Sequence, residues 1–263
     1  MSAGRSLRLS GVQRTYASGD RVVEALAPTD LEVAAGEFVC LLGASGCGKS
    51  TLLQLIAGLD TPTSGTVTVG DTPVTGTSPD RVLLFQDAAL FPWLTVEENV
   101  RFGLRHSSRP VAEQHDIACD WIARVHLEGF ERAWVHQLSG GMRQRAALAR
   151  ALATDPSVLL MDEPFGALDA LTRDRLHHEL ESLWAATGKT VVFVTHNVRE
   201  AVALGDRVIV LSPRPGRVVG DFRIDLPRPR ALEDIAVLER AAEVMTVLRQ
   251  ALDATTEPSL LEA

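Results

Sequence analysis

FVCLLGASGCGKSTLLQLIAGL, Phe38 to Leu59, is the stretch on which the fold turns. Phe38–Leu42 is a continuous apolar run of buried-strand length. Glycines stop it at Gly43, and TLLQLIAGL resumes with helical periodicity. Between them GASGCGKST, Gly43 to Thr51, matches G-x-x-x-x-G-K-[ST] in full, with the strand before it and the helix after it that this phosphate-loop (Walker A) pattern requires. Its glycines let the backbone wrap inward so that successive N–H groups converge on a β-phosphate. Gly48 permits close approach, and the helix start adds its partial positive charge. Lys49 is placed to pair with β- and γ-phosphate oxygens and Ser50 to hold Mg²⁺ through its hydroxyl. Gly43, Ala44, Ser45, Gly46, Cys47, Gly48, Lys49, Ser50 and Thr51 therefore form the predicted nucleotide cradle, with Cys47 a small filler. A Gly-rich turn that merely precedes a lysine is the competing reading, and the flanking strand and helix weigh against it.

Working outward, the first third reads as β-rich. RLSGVQRTYAS is a strand followed by a turn, LEVAAGEFVCLL holds two β-like segments split at Ala35-Gly36, and SGTVTVGDTPV is a hairpin arm with Gly65 and Gly70 as turn signals. RVLLFQ, Arg81 to Gln86, is another short strand. From about Val96 to Ala153 the period becomes helical. SVLLMDEP and TVVFVTH are buried strands, each followed by a helix, and RVIVLS and GRVVGDF are late strands. This alternation predicts an α/β fold with a parallel sheet and crossover helices. Beyond Pro227 and Pro229, Ile235, Leu238, Ala242, Met245, Leu248 and Leu252 step by three or four, which predicts an amphipathic helix over about Ala231 to Leu252. It is expected to pack on the domain, a partner being the alternative, and the last ten residues to fray.

The chain has 263 residues, 46 % of them hydrophobic and 23 % charged, so a folded core is expected and a wholly disordered chain is excluded. A net charge of −8 disfavours nucleic acid as a partner, which calls for a basic face. There is no apolar run of membrane-spanning length and no secretory signal. Three cysteines without paired spacing, Cys40, Cys47 and Cys119, fit a reducing compartment and argue against zinc or disulfide frameworks.

The chemistry comes from two further strings. In SVLLMDEP, Asp162 emerges at the carboxyl end of a strand, where α/β sheets bind ligands, and its carboxylate can hold Mg²⁺. Glu163, next in sequence, is the candidate general base for an attacking water. In HQLSGGMRQRAALARAL, Ser139 reads as a helix N-cap, and Gly140-Gly141 expose backbone N–H groups at the helix start. That is a second anion-binding device far from the first. An ordinary acidic loop and an ordinary capped helix are the bland readings of the two strings.

The string LSGGMRQR resembles the signature of ATP-binding cassette (ABC) ATPases. Tyr16, Gln86, Ala167-Leu168-Asp169 and His196 at the end of TVVFVTH match that family in order, so the motifs cover roughly residues 7 to 220. The resemblance implies a cassette over residues 1–225 with a RecA-like P-loop core, an antiparallel β-subdomain and an inserted α-helical signature subdomain over about 87–153; residues 226–263 form a C-terminal helix and tail. It implies that two copies pair head to tail, each ATP lying between one phosphate loop and the partner's Ser139, Gly140 and Gly141. Tyr16 would stack on adenine. His196 would contact the γ-phosphate and help hold Glu163 and the water, and Gln86 would approach Mg²⁺ and the water. Asp169 would reach across the interface. Lys49, Gln86, Glu163 and His196 are thus the expected catalytic set, with Ser50, Gln86 and Asp162 around Mg²⁺.

One cassette without a fused membrane domain, and a Ser139 only 53 positions after Gln86, fit an importer subunit better than exporters, translation factors or DNA-repair members. ALFPWLTVEENVRFGL and LSPRPGRVV resemble the ATPases of nitrate, sulfonate and taurine importers. The expected partners are a separate membrane permease and, indirectly, an extracytoplasmic solute-binding protein, at the cytoplasmic face of the membrane. An ABC ATPase serving a non-transport complex, or a P-loop kinase or GTPase, are the alternatives. Leu90, Phe91, Pro92, Trp93 and Leu94 would form the joint to the permease, with packing of Trp93 inside its own subdomain as the alternative. His177-His178 read as a solvated helix face, Trp121, Trp134 and Trp184 as packing, and Arg143, Arg145 and Arg150 as dimer or helix packing. Asn197, where that group more often has Asp, is expected to change little.

Overall fold

A computed structural model describes residues 2–19, 21–107, 109–166 and 168–254; Ala167 of the matched string and the tail expected to fray from residue 255 onward lie outside the described residues. The chain divides into two compact units. One comprises Gly4–Ser78 and the residues from Thr190 onward, and contains the phosphate loop; the other comprises the first three residues and Pro79–Lys189, and contains the LSGG string.

In the phosphate-loop unit, β1 (Leu7–Ser18), β2 (Arg21–Val33), β4 (Ser64–Val69) and β5 (Thr72–Pro73) make an antiparallel sheet in the order β2-β1-β4-β5. Gly70 is the hairpin turn between β4 and β5, with φ of 56°. Gly65, expected as a turn, lies inside β4 instead. At φ 81° its ideal Cβ would stand 2.3 Å from the carbonyl oxygen of Gly11, so the glycine is required by close strand approach at a β1 irregularity.

The strand Phe38–Leu42 is β3, buried along its whole length. It lies parallel to both β8 (Thr190–Val194) and β9 (Arg207–Leu211), and β10 (Val218–Arg223) adds antiparallel to β9. All five residues of both β3 and β8 are buried, as expected for strands covered on both faces. Helix α1 (Lys49–Ala57), helix α6 (Val198–Leu204) and helix α7 (Ile235–Asp253) complete the unit. Helix α7 packs on α6, β9 and β10. Its buried stripe is Val237, Ala241 and Val244; Ile235 is 75 % exposed and Ala242 is also exposed. The predicted face was therefore rotated: Leu238, Met245 and Leu248 flank the real contact, because several apolar residues on one helix permit more than one stripe.

In the signature unit, β6 (Arg81–Leu84) pairs parallel with β7 (Val158–Asp162). Helices α2 (Val96–Phe102), α3 (Val111–Arg124) and α4 (Gly140–Ala153) pack on one another, and α5 (Ala170–Thr187) packs on α4. The predicted helical run thus consists of three α-helices separated by short 3₁₀ turns and loops. Pro110 caps the first turn of α3, where its missing N–H costs nothing. Trp121 is buried as expected, whereas Trp134 is 42 % exposed. His177 is buried edge-on against Phe165, with only His178 facing solvent, because α5 turns Leu176, His177, Leu180 and Glu181 inward.

Candidate functional site

Three parallel strands release the chain at the same edge of the phosphate-loop unit. Leu41 of β3 is level with Val194 of β8, and Leu42 with Val210 of β9. The phosphate loop follows β3, Thr195 and His196 follow β8, and the Ser212–Arg217 turn follows β9. Ligands bind at this carboxyl edge in α/β sheets. Within the loop, the ammonium of Lys49 is buried and donates to the carbonyls of Gly43 (2.8 Å) and Ala44 (2.9 Å). Gly48 caps α1 at φ 99°, and its ideal Cβ would lie 2.7 Å from the carbonyl oxygen of Ala25, so position 48 admits only glycine. Cys47 is buried, and burial pushes its thiol up although Lys49 pulls the other way; it is a filler, as the sequence suggests. Ser50 is exposed at the first turn of α1 and Thr51 is half-buried.

His196 is exposed one residue beyond Thr195, which is buried. The hydroxyl of Thr195 donates to the Glu200 carboxylate and accepts from the Asn197 amide at 3.0 Å. Asn197 caps α6, accepting from Arg199 (3.1 Å) and Glu200 (3.4 Å). Asn and Asp cap equally well, which is why the departure at this position leaves the helix start intact. Tyr16 is half-buried in β1. Its hydroxyl donates to Asp60 at 2.8 Å, and the Arg14 guanidinium lies 4.5 Å over one ring face while pairing with the same carboxylate at 2.7 Å. A base stacking on this ring would have to use the face opposite Arg14. No local pattern pointed to Arg14 and Asp60, whose meeting is a tertiary contact.

The signature unit has a carboxyl edge of its own. Leu84 of β6 is level with Met161 of β7, so Gln86, two residues beyond β6, and Asp162-Glu163 leave the same edge. A Cβ built on Gly166 would lie 3.4 Å from the Gln86 amide nitrogen and 3.9 Å from a Glu163 carboxylate oxygen, which places both side chains around one glycine. Asp162 and Glu163 are half-buried; Glu163 sits at φ 45°. Holding a long L-side chain in the left-handed region costs about 1–2 kcal/mol, the kind of strain found where a side chain must be aimed. The loop that follows is tied down by side chains. Gln144 of α4 donates to the Pro164 carbonyl, and Arg173 of α5 donates to those of Phe165 (3.3 Å) and Leu168 (2.8 Å). Asp169 caps α5 by accepting from Thr172 at 3.0 Å, and that backbone hydrogen bond holds its carboxyl below the usual range.

The LSGG string is a capped helix start. Ser139 accepts from the Met142 amide at 3.2 Å. A Cβ on Gly141 would meet the Thr172 methyl at 2.6 Å, so this glycine is needed for the fit of α4 against α5. Arg145 pairs with Glu179 at 2.6 Å, and Arg143 donates to the Leu138 carbonyl, so both belong to helix packing.

The comparisons agree with this geometry. The model of the ABC transporter family matches residues 26–166. The chain is 52 % identical over 217 residues to the taurine import ATP-binding protein TauB of Burkholderia pseudomallei, covering 82 % of this chain and 84 % of that one. It is 48 % identical over 221 residues to the nitrate import ATP-binding protein NrtD of Synechocystis sp., covering 84 % and 83 %. Its fold matches the dimeric post-hydrolysis structure of the ATP-binding cassette MJ0796 bound to ADP and Pi at TM-score 0.74 and 34 % identity, over 84 % of this chain and all of that one. The chain belongs to the ABC transporter family. It is an ABC ATPase, with the α/β P-loop fold of that family.

Two features of this ABC ATPase complete the site. Mg²⁺ in such chemistry is held by few protein oxygens and by the substrate's phosphates. Within the signature unit the carboxylate of Asp162 and the amide of Gln86, and within the phosphate-loop unit the hydroxyl of Ser50, are each hard oxygen donors of the kind such an ion takes, and the described residues contain no cluster of three or more His, Cys, Asp or Glu that could hold a metal by itself.

The loop after Gln86 is greasy and rigid at once. Asn99, fully buried in α2, donates to the carbonyls of Phe91 (3.2 Å), Leu94 (3.3 Å) and Thr95 (2.9 Å) and accepts from the Phe91 amide (2.8 Å). Arg150 donates to the carbonyls of Ala88 and Ala89 and lies over the Phe91 ring, so it too braces this loop. Phe91 packs on Phe102, Leu90 is buried and Trp93 is left 68 % exposed. The sequence had marked Trp93 and missed Asn99, whose only local signal was an amide in the first turn of a helix.

Proposed function

We propose that this ABC ATPase energises an importer of a small solute, with taurine, nitrate and sulfonates as the solute classes. Two copies pair head to tail, and ATP·Mg²⁺ lies between the phosphate loop of one and Ser139, Gly140 and Gly141 of the other. The observation that carries this is the presence in one chain of two glycine-dependent helix starts suited to phosphate, α1 and α4, each specified by its own close contact. In this reading Tyr16 stacks on adenine through the face opposite Arg14, and Lys49 pairs with the phosphates. Ser50, Asp162 and Gln86 take the metal. Glu163 accepts the proton of the attacking water, His196 holds the γ-phosphate, and Asp169 reaches the partner. ATP closes the pair and hydrolysis reopens it as the γ-phosphate charge leaves.

Among the described residues no helix is long and apolar enough to cross a membrane. In this reading a separate permease carries the solute, this subunit works at its cytoplasmic side, and a solute-binding protein acts through the permease. The exposed Trp93, held on a loop that Asn99 and Arg150 stiffen, is the permease contact. The test is reconstitution with a permease and a solute-binding protein of such importers from the same organism, measuring ATPase stimulation and uptake of taurine, nitrate and sulfonates. One of them should stimulate both activities, and Trp93→Ala should cut uptake at least about tenfold while ATP binding by the free subunit is unchanged, the size of effect of losing an interface aromatic anchor. ATP turnover that no solute stimulates would favour a non-transport complex and end the importer reading.

A further inference from the structure

The LSPRPGR string, Leu211 to Arg217, has so far served only as a resemblance, yet its place in the fold is specific. It is the turn between β9 and β10, and it folds back against the phosphate loop. The turn is closed on itself. The Ser212 amide donates to the Arg217 carbonyl at 2.9 Å. The Ser212 hydroxyl accepts from the Arg217 amide at 3.0 Å, with the carbonyls of Pro213 and Pro215 within its donating reach. Pro213 and Pro215 fix their own φ, which leaves the four residues between Ser212 and Arg217 little freedom.

This stiff turn meets the phosphate loop at two consecutive peptides. Arg214 donates through Nε to the Gly46 carbonyl at 3.2 Å, and its Nη2 stands 3.2 Å from where a Cβ on Gly46 would be. The Cys47 carbonyl oxygen is 2.1 Å from the ideal Cβ of Gly216, so no side chain fits there. Gly216 is itself fixed, donating to the Ala25 carbonyl at 3.1 Å and accepting from the Ala27 amide at 3.0 Å. The same Ala25 oxygen is the one that excludes a Cβ at Gly48. Strand β2, the turn and the phosphate loop are therefore stacked backbone on backbone. The peptide joining Gly46 to Cys47 is held from both ends, its carbonyl by Arg214 and its N–H by the Ala44 carbonyl at 3.3 Å.

We propose that the Pro213–Gly216 turn is the rear brace of the phosphate loop and that Arg214 is a positioning residue for nucleotide phosphates, fixing the Gly46–Cys47 peptide. The proposal rests on the reading of Gly43–Thr51 as the phosphate site. A loop whose N–H groups must converge on an anion is pre-organised only if its peptides cannot rotate. Arg214 adds a fixed positive charge on the loop's outer side, within reach of its field.

Fluorescent mant-ATP and mant-AMP binding to the full chain, with steady-state ATPase kinetics, tests this. Arg214→Ala should raise the Kd for mant-ATP about threefold to tenfold, the range for one ordinary, solvent-accessible hydrogen bond, and leave that for mant-AMP unchanged. KM for ATP should rise by more than kcat falls, and Arg214→Lys, which can still donate to Gly46, should recover most of the affinity. Gly216→Ala should lose more affinity than Arg214→Ala. If it does not fold, the Arg214 pair decides alone. A parental mant-ATP Kd in Arg214→Ala beside a weakened Lys49→Ala overturns the brace, as does an equal loss for mant-AMP. A parental Kd in Lys49→Ala overturns the phosphate-site reading and the brace with it.

Discussion

At the edge of the phosphate-loop unit backbone meets backbone. Gly48 faces the Ala25 carbonyl, Gly216 faces the Cys47 carbonyl, and the Lys49 ammonium is buried among the loop's own carbonyls. At the edge of the signature unit the loop from Glu163 to Asp169 is held by side chains: Gln144 on Pro164, Arg173 on Phe165 and Leu168, Asp169 on Thr172. Glu163 is strained, and Gln86, Gly166 and Asp169 are exposed. The contrast matches two tasks. A site that must recognise a phosphate chain gains from peptides that cannot turn, since every rotation would spoil the convergence of N–H groups. A site that must answer the loss of one phosphate gains from contacts that side chains can break and remake. Affinity is accordingly expected to live at the first edge and turnover at the second.

The largest effect that could break this comparison is at Glu163. Glu163→Gln keeps size and shape but cannot take a proton, so turnover should fall at least about 100-fold, within the range for a general base. The Kd for ATP should be unchanged, and ATP-dependent dimers should accumulate, as seen by size-exclusion chromatography with light scattering. Robust hydrolysis by this variant would remove Glu163 from the chemistry and the second edge from its proposed role.

A smaller effect sharpens the same division. Arg173 touches no expected ligand, yet it holds two carbonyls of the loop that follows Glu163. Hydrogen bonds from a charged donor are worth about 1.5–3 kcal/mol, so Arg173→Ala should lower kcat about tenfold with little change in KM for ATP. A rise in KM without a change in kcat would mean that the second edge also sets affinity. Melting temperature measured alongside separates loosening of the loop from unfolding of α5.

Local sequence carried most of the first edge and less of the second. A buried strand, a glycine pattern and a helix follow one another within Phe38–Leu59, so their geometry is written in neighbouring residues. The helix start at Ser139 was legible for the same reason, since a cap acts on amides two or three residues away; Asp169 and Asn197 cap their helices by the same local rule but were singled out for other reasons. What stayed hidden joins distant segments. Gly65 is explained by Gly11, Gly216 by Cys47, Tyr16 by Asp60, and the inward turn of His177 by Phe165. Helix α7 shows the intermediate case: its existence followed from apolar periodicity, but which apolar residues faced inward depended on α6 and β9.

The smallest expected effect compares the two edges at matching positions. Both loops end in a helix cap, Asp169 at α5 and Asn197 at α6, but only Asp169 titrates. Its carboxyl is held below the usual range because it accepts from the Thr172 backbone, and it is exposed. A lowered folded-state pKa means that the cap contributes fully above the unfolded value, about 3.9, and that the contribution disappears as pH falls through the lower folded value. As pH falls below about 3.9 and through the lower folded value, the Thr172 amide should lose protection in hydrogen exchange corrected for intrinsic rate, while the Arg199 amide, capped by neutral Asn197, should not. Asp169→Asn should abolish the difference, because Asn caps as well without a proton to gain. Equal loss at both amides would show that acid loosens the two edges together, and the distinction between a fixed edge and a responsive one would not extend to their helix starts.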